Sequence, residues 1–375
     1  MRKSALGVVA LAAAATLLMS ACSSSKKDNG NTAGNTGGGS SSSGSGALDG
    51  KNTKVGIILP ETGTSQRWIT ADPVALKQDC LDAKLDCDIQ NAQGDAQQMK
   101  TIAQKMEANG VKVLMLVAID PSSAAAIEKD ATAKGIQTVD YDRFVAGGTA
   151  SLYVSFDNTK VGELQGQGLA ACPEVKGQSA VNYVQIDGAP TDNNATLFKQ
   201  GYESVLSKQA GWKLVDDQTG NWDPPTAKSV FQKMLQKTPS IKAVMVANDD
   251  MAGSVISVLQ SQHLNGKVAV SGQDATAAGL QRILSGDQCF TIYKPSKDEA
   301  GAAVKAIVQM VNKQPVTTSQ TIKDPTTGKD VPAILATTAQ IITKANVKTV
   351  IDDGYASKAA VCTGKYVALC TAAGI

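Results

Sequence analysis

The sequence has one histidine, few aromatic residues and almost no excess of charge. His263 lies at the end of a predicted exposed helix, where we expect it to be inert. The formal net charge is +2 at pH 7, and Arg2 and Lys3 account for both excess charges. Binding of nucleic acid through a basic face therefore has no support. Aromatic residues make up only 4% of the chain, so each one inside a polar motif is a candidate for a binding surface.

The first residues resemble the export signal of a bacterial lipoprotein. Arg2 and Lys3 precede an apolar stretch from 5 to 18, and small residues lead to Cys22, with methionine where leucine is usual. This pattern predicts a signal peptide over 1–21 and a lipid on Cys22 that anchors the protein to the outer face of the cell membrane. An ordinary secretory signal and an uncleaved anchor are the alternatives, although the apolar run is shorter than the roughly 20 residues of a membrane-spanning helix.

Residues 22–52 consist mainly of serine, glycine and asparagine. Such a composition cannot bury enough apolar surface to offset the entropy of ordering the chain, so we expect a flexible tether. About 325 residues follow, which is enough for two domains with separate cores.

Six cysteines follow Cys22, and an even number in an exported protein predicts three disulfides. Proximity in the chain favours Cys80–Cys87 and Cys362–Cys370, which leaves Cys172 with Cys289, although six cysteines allow fifteen connectivities. A zinc site is the alternative, but the sequence has no CxxC spacing and only one histidine. We predict no bound metal and no cofactor.

After the tether, short β-rich runs alternate with amphipathic stretches. The run from 111 to 119 is almost continuously apolar, as expected for a parallel strand covered on both faces. In the predicted helix from 72 to 84, Val74, Leu76 and Leu81 fall on one side. The alternation occurs in two sets of similar size. It predicts an α/β fold of two Rossmann-like lobes, each a parallel sheet with helices on both faces.

Polar side chains collect where the predicted strands end, the edge at which parallel sheets bind ligands. These segments are Gln66–Trp68, Asp140–Arg143, Asp192–Asn194, Asn221–Trp222, Asn248–Asp250, Gln273–Asp274 and Lys294–Pro295. Their carboxylates, amides and cations suit the hydroxyls of a neutral sugar, and an indole can cover the apolar side of a pyranose. They contain no Ser–His or Cys–His pair.

Structural roles are the alternatives for several polar residues. Asp157 is interpreted as a helix cap. An alternative role for Asp142 and Arg143 is an ion pair within a loop. The alternative for Trp68 and Trp222 is a partly buried position in the apolar core. A calcium site at Asn248–Asp250 would need an alternating oxygen-ligand loop with its glycine and glutamate, which the sequence lacks.

Five stretches carry a family resemblance: Tyr141–Arg143, Tyr153–Gln165, Thr191–Phe198, Gly266–Ala275 and Thr291–Pro295. They resemble the type I periplasmic sugar-binding proteins that serve ABC importers, in particular the D-xylose-binding members. The resemblance implies an N-terminal lobe of 53–156 plus 296–335 and a C-terminal lobe of 157–295 plus 336–375. It also implies a three-stranded hinge near Phe156, near Lys294 and within 329–337. The cysteines and the segment after Ala356 depart from the family pattern.

The resemblance also implies a set of ligand-binding residues and no catalytic residue. The set is Arg67, Trp68, Asp142, Arg143, Asn193, Asn194, Trp222, Asn248, Asp249, Asp274 and Lys294. The implied protein is a monomeric receptor that captures a monosaccharide and delivers it to an ABC permease by hinge closure. D-xylose is the first expectation, and other aldopentoses or aldohexoses are alternatives.

Two other functions remain as alternatives at this point. A sugar-sensing receptor for a chemoreceptor or a sensor kinase would use the same closure. A glycosidase would need two carboxyl groups across the scissile bond, one of them protonated. Arg143 and Lys294 beside Asp142 and Asp274 would keep both carboxylates ionised, so we expect no enzymatic activity.

Overall fold

The computed structural model describes residues 49–63 and 65–375. The predicted signal peptide, Cys22 and residues 22–48 of the predicted tether lie outside the described residues. Within the described part of the chain, no helix combines the length and the apolar character needed to cross a bilayer.

The first lobe is built on a seven-stranded sheet. Its strands are β1 (Lys54–Leu59), β2 (Asp86–Asn91), β3 (Val113–Leu116), β4 (Gln137–Tyr141), β5 (Leu152–Phe156), β11 (Gln320–Lys323) and β12 (Asp330–Ala336). The spatial order is β11-β12-β5-β4-β3-β1-β2, and all neighbours are parallel except β11 and β12. Every residue of β3 and β5 is buried, which explains their nearly continuous apolar sequences.

Helices cover both faces of this sheet and form a separate core on each. One core includes side chains of α2 (Asp72–Asp82) and α10 (Ser296–Val311). The other includes side chains of α3 (Ala96–Ala108) and α4 (Pro121–Ala133). The short helix α1 (Arg67–Thr70) follows β1 directly and begins the polar edge of the lobe.

The second lobe contains a four-stranded parallel sheet of order β7-β6-β8-β9 and an antiparallel pair of β10 and β13. The strands are β6 (Val181–Asp187), β7 (Trp212–Thr219), β8 (Ile241–Val246), β9 (Ala269–Val270), β10 (Thr291–Tyr293) and β13 (Gln340–Ile342). The helices are α5 (Asn158–Ala171), α6 (Asn193–Leu206), α7 (Pro224–Lys237), α8 (Asp249–Ser261), α9 (Ala277–Ser285), α11 (Val347–Asp352), α12 (Lys358–Val361) and α13 (Tyr366–Ala372). The predicted α/β fold of two lobes with parallel sheets is confirmed.

The chain passes between the two lobes three times. It leaves the first sheet after Phe156, where Asp157 caps α5 through the backbone N–H of Lys160 at 3.0 Å, so the cap interpretation is confirmed. It returns between β10 and α10, and it crosses again between β12 and β13. The family resemblance implies the hinge in these regions, and the exact lobe boundaries stay a prediction.

The buried face of α2 differs from the sequence prediction. Val74 and Leu81 are 65% and 62% exposed, and only Leu76 of the predicted apolar side is buried. The buried positions are Asp72, Leu76 and Cys80, which share one helix face at a spacing of four residues. Ion pairing draws Asp72 inwards, and a disulfide holds Cys80, so two specific bonds decide which face turns inwards.

Three disulfides join the six cysteines of the described chain. Cys80 pairs with Cys87, Cys172 with Cys289, and Cys362 with Cys370. This is the connectivity that proximity in the chain favours. The first bridge lies in the first lobe, and the other two lie in the second.

Candidate functional site

A cavity between the lobes lies where the parallel strands of both sheets end. The space between its lining residues, including solvent at its open side, measures about 350 Å³. We call it the inter-lobe cavity. Its lining residues are Ser65, Arg67, Trp68, Asp142, Arg143, Asp192, Asn194, Phe198, Trp222, Asn248, Gln273, Asp274 and Lys294. Nine of the eleven predicted ligand residues are among them.

Asp142 follows β4 directly and links the two lobes. Its φ of 62° is a left-handed conformation that a residue other than glycine adopts at a cost. Three donors hold its main-chain carbonyl: the hydroxyls of Tyr153 at 3.0 Å and Ser155 at 2.8 Å, and Asn194 Nδ2 at 2.9 Å. Asn194 Nδ2 also lies 3.2 Å from the Asp142 carboxylate. These bonds aim the carboxylate into the inter-lobe cavity.

The Asp142 side chain is a carboxylate rather than a carboxylic acid. Burial pushes its pKa upwards, but the charges of Arg67, Lys294 and Arg143 outweigh burial and hold the pKa below its usual value. An ionised carboxylate accepts hydrogen bonds only, and it can accept from two neighbouring hydroxyls. Asp142 is therefore suited to bind a polyol and unsuited to act as a general acid.

Arg67 lines the inter-lobe cavity, but carboxylates surround its guanidinium group. Nε and Nη2 donate to Asp72 at 2.9 and 2.7 Å, Nη1 donates to Asp142 at 2.6 Å, and Nη2 also donates to Glu299 at 2.6 Å. All four residues are buried. The Tyr141 hydroxyl donates to Asp72 at 2.8 Å and extends the network. Arg67 thus holds Asp142 in place and has little remaining capacity to bind a ligand.

Asp192 joins the lobes through a second set of contacts. Its Oδ2 accepts from Trp222 Nε1 at 3.1 Å and lies 3.2 Å from Arg143 Nε. Arg143 Nη1 donates to the Ala118 carbonyl at 2.9 Å, which fixes the arginine within the first lobe. Burial raises the pKa of Asp192, and Arg143 opposes that shift. Arg143 thus presents a cation from the first lobe, and Asp192 presents a hydrogen-bond acceptor from the second lobe, to the inter-lobe cavity.

Two indoles form apolar walls of the inter-lobe cavity. Trp68 is buried, and its Nε1 has no hydrogen-bond partner among the described residues. Because an unpaired buried donor is costly, this N–H is a candidate to bind a ligand oxygen. Trp222 has a φ of 58°, and a Cβ at Gly188 would overlap its ring. Glycine at 188 therefore lets the indole lie against the backbone.

Asp274 and Lys294 close the remaining side of the inter-lobe cavity. Lys294 Nζ lies 3.2 Å from Asp274 Oδ1 and 5.3 Å from the ring centroid of Phe198. Asp274 also has a left-handed backbone, with φ of 86°, and its N–H donates to the Ile292 carbonyl at 2.8 Å. The cavity thus combines fixed carboxylates, cations and amides with aromatic walls.

The chain matches the family description "Periplasmic binding protein domain" over residues 55–315. It belongs to this family. The D-xylose-binding periplasmic protein of Escherichia coli K12 is 34% identical over 315 residues, which cover 82% of this chain and 92% of that protein. The D-xylose-binding periplasmic protein of Haemophilus influenzae is 31% identical and covers 84% of this chain and 93% of its own length.

A solved structure of similar shape is the carbohydrate transporter solute binding protein of Chloroflexus aurantiacus in complex with D-glucose. It is 28% identical, has a TM-score of 0.73, and covers 82% of this chain and 98% of its own. This periplasmic binding protein is therefore a sugar-binding member of the ABC transport family. The three relatives named above are described as sugar-binding or solute-binding proteins.

Two residues of the predicted set, Asn193 and Asp249, do not line the inter-lobe cavity. Asn193 is half-buried at the first position of α6, and Asn194, about 100° further around the helix, lines the cavity instead. Asp249 points into the second lobe, where it accepts from Gln288 Nε2 at 2.7 Å and the Thr276 N–H at 2.9 Å. Burial raises the pKa of Asp249 to about 6.

Four lining residues of this binding protein are absent from the predicted set. They are Ser65, Asp192, Phe198 and Gln273. Asp192 and Gln273 belong to motifs already visible at strand ends. Phe198 follows Asn194 by four residues and so shares its helix face, a signal that could have been used. Ser65 has no such signal.

The described residues contain one group with the spacing of a metal site, formed by Cys172, Glu174 and Cys289. The two sulfur atoms are bonded to each other, so neither is a thiolate that could bind a metal. This group lies outside the inter-lobe cavity.

Proposed function

We propose that this periplasmic binding protein captures one monosaccharide in the inter-lobe cavity and delivers it to an ABC permease. The observation that carries the proposal is the convergence of side chains from both lobes on one polar, buried cavity. Asp142 and Arg143 come from the first lobe, and Asn194 and Asp274 come from the second.

The balance of charge in the lining supports a neutral ligand. Three carboxylates and three cations line the inter-lobe cavity, and each cation contacts a carboxylate: Arg67 with Asp142, Arg143 with Asp192, and Lys294 with Asp274. A charged ligand would leave an unpaired charge in a buried site, which is costly. Hydroxyl groups can donate to the carboxylates and accept from the cations without disturbing this balance.

D-xylose is the first candidate ligand. Two relatives that cover more than four fifths of the chain are named for it. The similar structure with D-glucose makes an aldohexose the second candidate. Both sugars share the pyranose ring, whose apolar side suits the indoles of Trp68 and Trp222 in the lining.

Closure of the hinge over the sugar is the proposed mechanism. The contacts of Arg143 with Asp192 and of Asp142 with Asn194 each join the two lobes. When the lobes separate, all four groups regain water, so opening costs little and sugar can enter. Sugar that bonds to both walls shifts the population towards the closed form, which the permease would recognise.

We place the protein outside the cytoplasm, held to the cell membrane by a lipid on Cys22. The family membership supports the export, and the sequence pattern before Cys22 supports the anchor. A Cys22→Ala variant should leave the membrane fraction of a bacterial host, whereas a Ser23→Ala variant should remain in it. Equal fractionation of the two variants would contradict the anchor.

Calorimetry on the mature protein tests the sugar proposal directly. We expect micromolar or tighter binding of D-xylose, with D-glucose as the second probe. Asp142→Asn should weaken binding about 10- to 150-fold, because a hydrogen bond to a charged group contributes about 1.5–3 kcal/mol. The exposed Asp86→Asn is the matched control and should bind like wild type. No binding of any aldopentose or aldohexose would refute the proposal.

A chromogenic glycoside assay separates this proposal from a glycosidase. The lowered pKa of Asp142 leaves that residue unable to protonate a leaving group near neutral pH. We expect no turnover of aryl xylosides or aryl glucosides by protein that binds the free sugar.

A further inference from the structure

A second cavity lies against the inter-lobe cavity, and the proposed function does not use it. The space between its lining residues, including open solvent, measures about 1060 Å³, compared with about 350 Å³ measured in the same way for the inter-lobe cavity. Two residues, Arg67 and Asp274, line both cavities, so the two spaces adjoin at these side chains. The second cavity is lined by α1, by the loop before α9, and by the C-terminal segment Gly354–Ala360.

The chemistry of the second cavity suits a neutral, hydroxyl-bearing ring. The polar lining consists of the carboxylates of Asp250 and Asp274, the Gln66 amide, and the hydroxyls of Thr70, Thr276, Tyr355 and Ser357. Among the described residues of this lining, Arg67 is the only cation, and the carboxyl groups of Asp72, Asp142 and Glu299 already accept its hydrogen bonds. A phosphate or a carboxylate would therefore meet two acidic groups without a free cation, which disfavours anionic ligands.

The C-terminal segment forms a fixed wall of the second cavity. Gln281 Nε2 on α9 donates to the carbonyls of Ala360 and Val361 at 3.0 and 3.1 Å. The Cys362–Cys370 disulfide and an apolar core shared with α9 hold the segment behind that wall. The Tyr355 ring packs edge-on against Tyr293, with centroids 5.0 Å apart. Ser357 and Ala360 of this wall belong to the segment after Ala356, which departs from the family pattern.

Asp250 connects the two sides of the second cavity. It stands in the first turn of α8 in the second lobe, where burial and the charges of Asp249 and Asp274 raise its pKa to about 7, while the backbone N–H of Gln66 in the first lobe acts to lower it. The acceptor is therefore held at the junction of the lobes, close to the Asp274 that also faces the inter-lobe cavity.

We propose that the second cavity holds the second ring of a neutral disaccharide whose first ring occupies the inter-lobe cavity. This inference rests on the proposed function, because it takes the inter-lobe cavity as the site of the first ring. The second ring would bond to Asp250 and to the hydroxyls of Thr276 and Tyr355. The substrate class of the protein then extends from monosaccharides to neutral disaccharides.

Calorimetry with matched variants tests the inference. The probes are D-xylose, D-glucose, xylobiose, cellobiose and maltose, titrated into the mature protein. Ala360→Trp fills the second cavity from its exposed wall, and Ala359→Trp adds the same ring at a neighbouring exposed position outside the lining. We expect at least one disaccharide to bind within tenfold of its parent monosaccharide. Ala360→Trp should weaken that disaccharide at least tenfold and change the monosaccharide less than twofold, and Ala359→Trp should change neither.

The outcomes distinguish this inference from the proposed function. If a monosaccharide binds and no disaccharide does, the inference is wrong and the proposed function stands. If Ala360→Trp weakens both ligand classes equally, or if Ala359→Trp has the same effect, the second ring does not lie in this cavity. If no sugar binds at all, the proposed function fails, and the inference fails with it.

Discussion

Replacing Arg67 by methionine tests whether this residue supports the structure of the site or binds the sugar. The change removes the cation that contacts Asp72, Asp142 and Glu299 and leaves three buried carboxyl groups without it. Breaking a buried ion pair on one side costs about 3–5 kcal/mol. A folded chain of about 325 residues has an unfolding entropy of about 0.7 kcal/mol/K, so the loss corresponds to a fall in Tm of about 4–7 °C.

Thermal unfolding without sugar, followed by circular dichroism, measures this effect. The matched variant is Arg143→Met, which removes a cation with a single carboxylate partner, Asp192. We expect its Tm to fall by less than half as much, while its sugar affinity falls about tenfold or more. If Arg67→Met unfolds at the wild-type temperature and only loses affinity, Arg67 is a ligand residue and the framework role is refuted.

Three further predictions concern the site wall, a disulfide and pH. Trp222→Phe removes the N–H that Asp192 accepts, and we expect sugar affinity in calorimetry to fall about fivefold; unchanged affinity would contradict the contact. Replacing Cys172 and Cys289 by alanine opens a loop of 117 residues and should lower the free energy of unfolding, measured in urea, by about 4–5 kcal/mol. Opening the short Cys80–Cys87 loop should lower it by about 2 kcal/mol less. Burial and a neighbouring carboxyl group raise the pKa of Asp140 well above its usual value, so the folded state keeps a proton that the unfolded state releases above about pH 4. The unfolding free energy should therefore fall as pH rises from about 4 towards 8, and Asp140→Asn should flatten that slope; an equally steep slope in the variant would refute this.

The lobes could be predicted from the sequence because their signals are local. The buried strand β3 and the long helices of both lobes show themselves through continuous or periodic apolar residues. The short helices α11, α12 and α13 have too few residues for a period to be visible. The inward face of α2 depends on bonds that Asp72 and Cys80 make with other elements, so its own sequence pattern indicated the wrong side.

The site shows the same division between local and tertiary signals. Nine predicted residues line the inter-lobe cavity because strand ends converge at one edge of a parallel sheet. The role of Arg67 was not visible, because two of its partners, Asp142 and Glu299, lie 75 and 232 residues away in the chain. Asp192 lies in a motif visible at a strand end, but its contacts with Trp222 and Arg143 depend on tertiary structure; its Oδ1 also caps α6 by accepting from the Asn194 N–H at 2.9 Å.

Each of the three disulfides joins two cysteines within one lobe, and none of them links the two lobes. The covalent cross-links therefore respect the boundary along which the proposed motion takes place. Oxidation outside the cytoplasm can stiffen each half of the molecule, while the connecting segments keep their torsional freedom. A change of redox conditions would then alter how long the protein survives far more than how readily it opens.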